Sequence, residues 1–239
     1  MRILEGERVT KYFGGLAAVS RVNFSVDQGE IVGLIGPNGA GKTTLFNLIS
    51  ASLPTTSGTI RFKGEKITGL KPYKICRMGV ARTFQTVKIF ANMPVVENVR
   101  LGALFGSPHG MSSADATSEA AALLGFVGLS KMKALLASDL TLANQKRLEV
   151  AQALATKPEL LLLDELMAGL THTEVAQAIE LVARIRKRGI TVIMIEHVMT
   201  AIMSVCERIM VLHHGEKIAE GTPKEIATSK KVIEVYLGE

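Results

Sequence analysis

Residues 36–43, GPNGAGKT, have the residue types and spacing that bind a polyphosphate. The segment matches GxxxxGK[ST] in full, after the apolar stretch IVGLI and before LFNLISASL, which has a helical pattern. Glycines there let successive backbone N–H groups turn towards phosphate oxygens, and the following helix adds the positive end of its dipole. The flanking patterns disfavour the alternative of a chance glycine-rich turn. We predict a phosphate site formed by Gly36, Pro37, Asn38, Gly39, Ala40, Gly41, Lys42, Thr43 and Thr44.

Two side chains of this segment have more specific predicted roles. Lys42 can reach the β- and γ-phosphates, and the Thr43 hydroxyl is placed for Mg²⁺. The predicted ligands are a purine nucleotide and Mg²⁺. This motif by itself is compatible with a kinase, a GTPase, a helicase or a transport motor.

A pair of carboxylates follows the apolar run LLLL at residues 160–163. A strand that ends in Asp164 and Glu165 brings both to the carboxyl edge of a sheet, where the phosphate segment also lies. Asp164 suits Mg²⁺, and Glu165 can orient or deprotonate an attacking water. An Asp-Glu pair is also common at the start of a helix, and this alternative is weakened by the next strand of the same kind.

That next strand is TVIMI at residues 191–195, which ends in Glu196 and His197. An imidazole at the same sheet edge can contact a γ-phosphate, so we interpret His197 as part of the site. The remaining histidines are interpreted as structural: His109, His172, His213 and His214.

The elements that must position these residues follow from short patterns. Strands are predicted at residues 3–10, 22–26, 31–35, 59–63, 160–163, 191–195 and 208–212, and helices at 45–53, 72–78, 173–187 and from 198 onward. Residues 95–155 are rich in Ala, Leu and Ser with helical spacing, apart from a turn-prone stretch at 106–113. This alternation predicts an α/β core with parallel strands, made of residues 1–94 and 156–239, and a helical lobe inserted at 95–155.

Composition narrows the class of protein. The 239 residues carry a net charge of +6 and are 47% hydrophobic, but no apolar run approaches the ~20 residues of a membrane-spanning helix. A cytoplasmic protein is therefore expected, with Cys76 and Cys206 as reduced thiols. The basic residues are scattered and not interleaved with aromatics, so nucleic-acid binding is weakly signalled and an anionic lipid surface suits the charge equally well.

Taken together, the motifs resemble the ATP-binding subunits of ATP-binding-cassette transporters along essentially the whole chain. The resemblance rests on GPNGAGKT at 36–43, TFQ ending at Gln85, LLLLDE at 160–165, AGL at 168–170 and EH at 196–197. Within that family the chain looks similar to branched-chain amino-acid importers, on the basis of VARTFQTVKIFANMPVVENVRLGA, IGPNGAGKTTLFN, MAGL and the ending VYLGE. Related ATPases for hydrophobic substrates and for lipopolysaccharide export share parts of this pattern.

The resemblance implies a RecA-like P-loop core with an antiparallel β portion and an inserted α-helical subdomain. It also implies an ATPase that binds ATP and Mg²⁺ and powers an importer from the inner face of the cell membrane. The implied partners are transmembrane permease subunits, a second ATPase subunit in a homodimer or heterodimer, and, indirectly, a substrate-binding protein.

Roles for individual residues also follow from the resemblance. Phe13 is expected to stack on adenine, although a place in the core is the alternative. Gln85 is expected to bind Mg²⁺ and to link the attacking water to the helical lobe, and His197 to sense the γ-phosphate. In the dimer, each ATP would touch the signature sequence of the other chain, aligned here with residues 140–144, through Thr141 and Ala143.

This chain departs from the family pattern near the expected dimer seam. Ala143 replaces a glycine of the signature and Asn144 a glutamine, while Leu166 replaces a proline and Thr171 an Asp or Asn. A Cβ at residue 143 is expected to hold the γ-phosphate further away. The hypothesis is that the site completed by this signature hydrolyses ATP more slowly than the site formed by this chain's own phosphate loop. Two alternatives remain open, namely a non-transport cassette ATPase and a regulatory subunit that binds ATP for assembly only. The single cassette without sustained heptads disfavours the first, and Glu165 with His197 disfavours the second.

Overall fold

The structure is a computed structural model that describes residues 1–106 and 110–237. His109, interpreted above as structural, lies outside the described residues, as do parts of the predicted turn at 106–113 and of the ending VYLGE. Within the described residues, no helix combines the length and the apolar character that crossing a membrane requires.

The described residues alternate between strands and helices. The strands are β1 (Arg2–Phe13), β2 (Leu16–Asp27), β3 (Ile31–Ile35), β4 (Ser57–Phe62), β5 (Glu65–Lys66), β6 (Val80–Arg82), β7 (Leu160–Asp164), β8 (Thr191–Ile195), β9 (Arg208–His213) and β10 (Glu216–Gly221). The helices are α1 (Lys42–Ile49), α2 (Pro72–Arg77), α3 (Val95–Gly106), α4 (Ser113–Val127), α5 (Leu142–Ala155), α6 (His172–Lys187), α7 (Met199–Val205), α8 (Pro223–Thr228) and α9 (Lys230–Leu237). Two short 3₁₀ turns, Ser130–Met132 and Ala137–Asp139, precede α5.

The strands form two sheets. One is antiparallel, in the order β2-β1-β4-β5, and the other has the order β10-β9-β3-β8-β7-β6. In the second sheet the strands from β9 to β6 are parallel, and only β10 is antiparallel to its neighbour. The predicted α/β core with an antiparallel β portion is therefore confirmed.

The strand β7 is a continuous run of four leucines because both of its faces are buried. Leu160 and Leu162 belong to the core between the two sheets, together with α1. Leu161 and Leu163 point the other way, into a core shared with the helices α3 to α8. Because successive strand residues alternate faces, a strand covered on both sides must be apolar throughout, and it can place Asp164 at its end without disturbing either core.

Most predicted elements are confirmed within a few residues, and two differences have clear causes. The strands predicted at 3–10 and 22–26 are parts of one long hairpin, β1–β2, which is irregular where Arg8 and Arg21 adopt positive φ of 49° and 48°. The helix expected from Leu45 already begins at Lys42, because the end of the phosphate segment forms its first turn, and it stops before Ala51, whose φ is 54°. The edge strands β6 and β10 and the helices α8 and α9 were not predicted.

Candidate nucleotide site

The phosphate segment forms a tight loop between β3 and α1, and two of its glycines have no room for a side chain. Gly36 has φ of 149°, and a Cβ on it would lie 2.1 Å from the carbonyl oxygen of Leu212. Gly41 has φ of 101°, and a Cβ there would lie 2.3 Å from the carbonyl oxygen of Ala18. Glycine is required at both positions, because the loop packs against neighbouring backbone and leaves its own N–H groups for a ligand.

Lys42 lies at the start of α1 with its ammonium group folded over the same loop. Its Nζ donates hydrogen bonds to the carbonyl oxygens of Gly36 at 2.6 Å and Pro37 at 3.0 Å. Burial lowers the pKa of Lys42, while the negative charges of Glu165 and Asp164 act in the opposite direction. A buried cation held only by carbonyl oxygens is well suited to accept a phosphate as an additional partner.

A cavity of about 370 Å³ lies over the loop and brings most of the predicted site together. Gln85, Glu165 and His197 line it beside residues 38–44 of the phosphate loop. Leu16, Ala17 and Ala18 line it as well, and so does His214, which the sequence analysis interpreted as structural. The turn that carries His214 is fixed to the loop by a hydrogen bond from the Gly215 N–H to the Ala40 carbonyl at 3.0 Å.

Three predicted catalytic residues converge at the Glu165 carboxylate. Gln85 Nε2 donates to Glu165 Oε2 at 3.1 Å, and His197 Nε2 lies 3.0 Å from Glu165 Oε1. Glu165 adopts φ of 53°, a left-handed conformation that turns the chain sharply after β7. Both oxygens of this carboxylate are therefore held in a fixed orientation at the cavity wall.

Asp164 occupies a different environment, although it is the neighbouring residue. Its side chain is 0% exposed and pairs with Arg82, whose Nη2 lies 2.7 Å from Asp164 Oδ2. Burial raises the pKa of Asp164, and the guanidinium of Arg82 opposes this shift. The other oxygen, Oδ1, is buried without a hydrogen-bond partner among the described residues. An unpartnered buried carboxylate oxygen beside a phosphate loop fits a cation ligand, so the residues present fit Mg²⁺.

Arg82 contacts the candidate site directly, and the sequence did not predict this. Besides Asp164, it contacts the Asn47 Oδ1 atom at 2.5 Å and the Ser50 Oγ atom at 3.2 Å, both on or next to α1. It thus connects the helix behind the phosphate loop to the carboxylate at the end of β7. The segment VARTFQ contributed only to the family resemblance. An arginine at the end of a short apolar segment does not indicate that its guanidinium will pair with a carboxylate 82 residues away.

Besides Asp164 and the loop residues Gly36 and Pro37, three predicted residues do not line the cavity. Phe13 lies at the exposed turn between β1 and β2, which excludes the alternative that it belongs to the core. Thr141 caps α5, its hydroxyl accepting from the Asn144 N–H at 3.4 Å. Ala143 is 7% exposed, so its methyl group faces its own chain, whereas the Leu142 side chain is 45% exposed. The signature therefore lies on a separate surface, where Leu142 approaches Gly169 of the AGL segment.

A phosphate loop between a parallel strand and a helix, with two carboxylates at the same sheet edge, defines the class of P-loop nucleoside triphosphatases. Comparison with known proteins narrows this class. The family model described as "ABC transporter" matches residues 19–168, and a second, described as "Branched-chain amino acid ATP-binding cassette transporter", matches residues 216–239. The chain belongs to the ABC transporter family and is one of its ATP-hydrolysing subunits.

Individual relatives agree with this assignment. The chain is 41% identical over 250 residues to the high-affinity branched-chain amino acid transport ATP-binding protein BraF of Pseudomonas aeruginosa, covering 99% of this chain and 98% of that protein. A nucleotide-free ATP-binding cassette from an ABC transporter has a TM-score of 0.90 and 31% identity over the full length of both chains. A dimeric cassette in a post-hydrolysis state with ADP and Pi has a TM-score of 0.84 and 25% identity, covering 92% of this chain and 99% of that one.

Proposed function

We propose that this chain powers the import of branched-chain or other hydrophobic amino acids from the cytoplasmic face of a membrane. The carrying observation is the convergence of Gln85 and His197 on the Glu165 carboxylate, next to an intact phosphate loop. The substrate class is supported by the family match at residues 216–239 and by the name of the relative BraF.

In this proposal the chain's own groups divide the work of hydrolysis. The loop N–H groups and Lys42 bind the phosphates of ATP, and Glu165 orients the attacking water and accepts its proton. Gln85 and His197 each contact one oxygen of the Glu165 carboxylate. In this proposal, both side chains shift when the γ-phosphate binds or leaves, and so sense its presence. Phe13 is exposed and free to stack on the adenine ring.

The proposed Mg²⁺ ligands are Thr43, Gln85 and Asp164. Thr43 and Gln85 line the cavity, and Asp164 contributes the oxygen that lacks a partner among the described residues. When bound, Mg²⁺ would neutralise charge that develops on the phosphate oxygens.

A second ATPase subunit completes the proposed site. Thr141 and Ala143 do not line the cavity of their own chain, and Thr141 is exposed at the start of α5, where unpaired N–H groups attract a phosphate. We therefore propose that the signature faces the ATP of a partner subunit, which can be an identical or a different chain. The similar solved cassette that is dimeric supports this arrangement.

This chain offers a surface on which permease subunits could dock. A mostly apolar groove of about 640 Å³ lies between α2, the Gln85 segment and the helices α3 and α5. Phe105 and Phe90 are exposed along it, and Phe84 and Lys88 on its wall flank Gln85. Asn98 holds the Phe90 segment through hydrogen bonds in both directions. We propose that a cytoplasmic segment of the permease occupies this groove, at the border between the core and the helical lobe proposed for residues 95–155.

The test is amino-acid uptake by the native organism. Deletion of the chain is expected to abolish uptake of leucine, isoleucine and valine, and the wild-type chain but not Glu165→Gln is expected to restore it. A pull-down of the chain from native membranes is expected to recover permeases and any second ATPase. Unchanged uptake of these amino acids, together with recovery of ribosomes or DNA, would refute the proposal in favour of a non-transport cassette.

A further inference from the structure

Three charged side chains are buried together beneath the catalytic turn and have no role in the proposed mechanism. Lys146 and Glu149 lie on α5 and are each 5% exposed, and Glu196 follows β8 and is 3% exposed. None of them lines the nucleotide cavity. Burying charged groups is costly unless they are well paired, so a cluster of this kind calls for a specific explanation.

The direct partner of Lys146 is the backbone of the catalytic glutamate. Its Nζ donates a hydrogen bond to the Glu165 carbonyl oxygen at 2.7 Å. Burial lowers the pKa of Lys146, and the nearby charges of Glu196, Glu149 and Glu165 counteract this effect. Among the described residues, no carboxylate comes within ion-pair distance of Lys146. Among the described residues, the short polar contact of the Lys146 side chain is therefore the Glu165 carbonyl oxygen.

That carbonyl belongs to a strained turn. Glu165 has φ of 53°, a conformation that is strained for a non-glycine residue and persists only when neighbouring contacts impose it. Its N–H donates to the Ile195 carbonyl at 2.9 Å, and its own carbonyl also accepts from the Ala168 N–H at 3.3 Å. Glu196 Oε1 accepts the Met167 N–H at 2.8 Å. Lys146 and Glu196 thus hold the turn from below.

The same helix also holds the second arm of the site. Glu149 lies three residues after Lys146, on the same face of α5. Its Oε1 accepts the N–H of Lys88 at 2.8 Å and of Phe84 at 3.3 Å, on either side of Gln85. The helix that begins with the signature is therefore connected to both the Glu165 turn and the Gln85 segment.

We propose that Lys146 is a positioning residue that couples the signature helix α5 to the catalytic carboxylate. A shift of α5 when the signature engages a partner's ATP would move the Glu165 carbonyl, and with it the carboxylate that orients water. The proposal rests on the function proposed for Glu165. Misplacement of a catalytic group by about 1 Å can reduce the rate about 100-fold, so a single buried hydrogen bond is sufficient to control turnover.

The test compares Lys146→Met with Arg147→Met, which removes a positive charge from the adjacent, half-buried position of the same helix, where the guanidinium contacts Gln177 instead of the Glu165 turn. Lys146→Met is expected to lower kcat about 10- to 100-fold without changing the Kd for ATP measured by calorimetry. Lys146→Arg, which keeps a charged donor, is expected to restore most of kcat, and Arg147→Met to leave it unchanged. Lys146→Leu, which also lacks a donor and favours a helix, replaces Lys146→Met if that variant does not fold.

A purely structural role is distinguished in the Glu165→Gln background. If Lys146 acts through Glu165, Lys146→Met will not further reduce the residual single-turnover rate of that variant. An equal fold reduction in both backgrounds, or a wild-type kcat in Lys146→Met, would overturn the proposal. Absence of hydrolysis by the wild-type chain would instead refute the function proposed for Glu165.

Discussion

At the scale of single residues, two adjacent carboxylates have different chemistry because their surroundings differ. Asp164 is enclosed, paired with Arg82, and keeps one oxygen without a partner among the described residues. Glu165 turns away into the cavity, where Gln85 and His197 hold both of its oxygens. The left-handed backbone of Glu165 separates the two side chains, and so separates the proposed metal ligand from the group proposed to activate water.

The role of Glu165 leads to the first prediction. In Glu165→Gln the shape of the side chain is kept but the proton acceptor is lost, so turnover is expected to fall at least about 100-fold. The Kd for ATP is expected to stay within about twofold of wild type, because the phosphate contacts come from the loop and Lys42. ATPase assays and calorimetry on the same preparation measure both. Glu159→Gln, at an exposed carboxylate, is the control, and undiminished ATPase in Glu165→Gln would remove the assigned role.

Arg82 gives the second prediction. Arg82→Met leaves Asp164 as a buried charge without its partner, which is expected to lower the free energy of unfolding by about 3–5 kcal/mol. Urea denaturation measures this change. The double variant Arg82→Met with Asp164→Asn removes both charges and is expected to be more stable than Arg82→Met alone. A loss below about 1 kcal/mol in the single variant would mean that the ion pair does not stabilise the fold.

At the scale of elements, the polar residues of the site sit where a strand ends or a helix begins. Thr171 illustrates how a departure from the family pattern is accommodated. Its hydroxyl accepts the Glu174 N–H at 3.4 Å, and the Glu174 carboxylate accepts the Thr171 N–H at 2.8 Å, which forms a capping box at the start of α6. Threonine therefore caps this helix in the way expected of the Asp or Asn that it replaces.

The end of β8 gives the third prediction. Burial raises the pKa of Glu196 from its usual 4.5 to about 7. The folded state thus binds a proton more tightly than the unfolded state, so this contribution to stability is fully present below pH 4.5 and is lost as the pH rises through about 7. The free energy of unfolding is expected to fall over this range by up to about 3 kcal/mol from this group.

The measurement is urea denaturation of the wild type and of Glu196→Gln between about pH 4.5 and 8. The amide cannot ionise, so the variant is expected to show a smaller decline in stability as the pH rises. Glu159→Gln, at an exposed site, is expected to follow the wild-type profile. Parallel profiles for the wild type and Glu196→Gln would show that Glu196 does not titrate in this range.

At the scale of the whole molecule, the nucleotide cavity and the signature occupy separate surfaces of one chain. The cavity is lined by the phosphate loop, Gln85, Glu165 and His197, whereas Thr141 and Leu142 are exposed elsewhere beside Gly169. This finding changes the reason expected for slow hydrolysis at the signature, which was that the Cβ of Ala143 holds the γ-phosphate further away. The methyl group of Ala143 is buried in its own chain, so in the proposed dimer the exposed Leu142 side chain would be the larger obstacle to a partner's ATP.

The fourth prediction concerns this surface in the assembled transporter. Ala143→Gly is expected to raise the ATPase rate modestly, and Leu142→Gly to raise it more, because it clears the exposed side chain from the signature. Thr171→Ser, which keeps the cap of the neighbouring α6, is the control and is expected to leave the rate unchanged. If neither glycine variant hydrolyses faster than wild type, the altered signature does not limit turnover.

Several features of this protein followed from the sequence alone. The phosphate loop with its preceding strand, Asp164 at the end of β7, Glu165 just after it and the histidine after β8 were all predicted at their observed positions. The helix after the loop was predicted with bounds that differ by a few residues. They share one property, which is that each is defined within a few consecutive residues. Local backbone preferences and the period of apolar residues are sufficient to specify such features.

Only the tertiary structure decided which distant residues meet. Arg82 donates a hydrogen bond to Asp164, which is 82 residues later in the chain, and Lys146 donates to the Glu165 carbonyl, 19 residues later. His214, in the turn after β9, lines the nucleotide cavity. The burial of Ala143 and the exposure of Phe13 and Leu142 were decided in the same way. Contacts of this kind depend on strand order and on how helices pack across the sheet. The residues around a lysine or arginine in the sequence do not specify which oxygen its side chain will contact once it is buried.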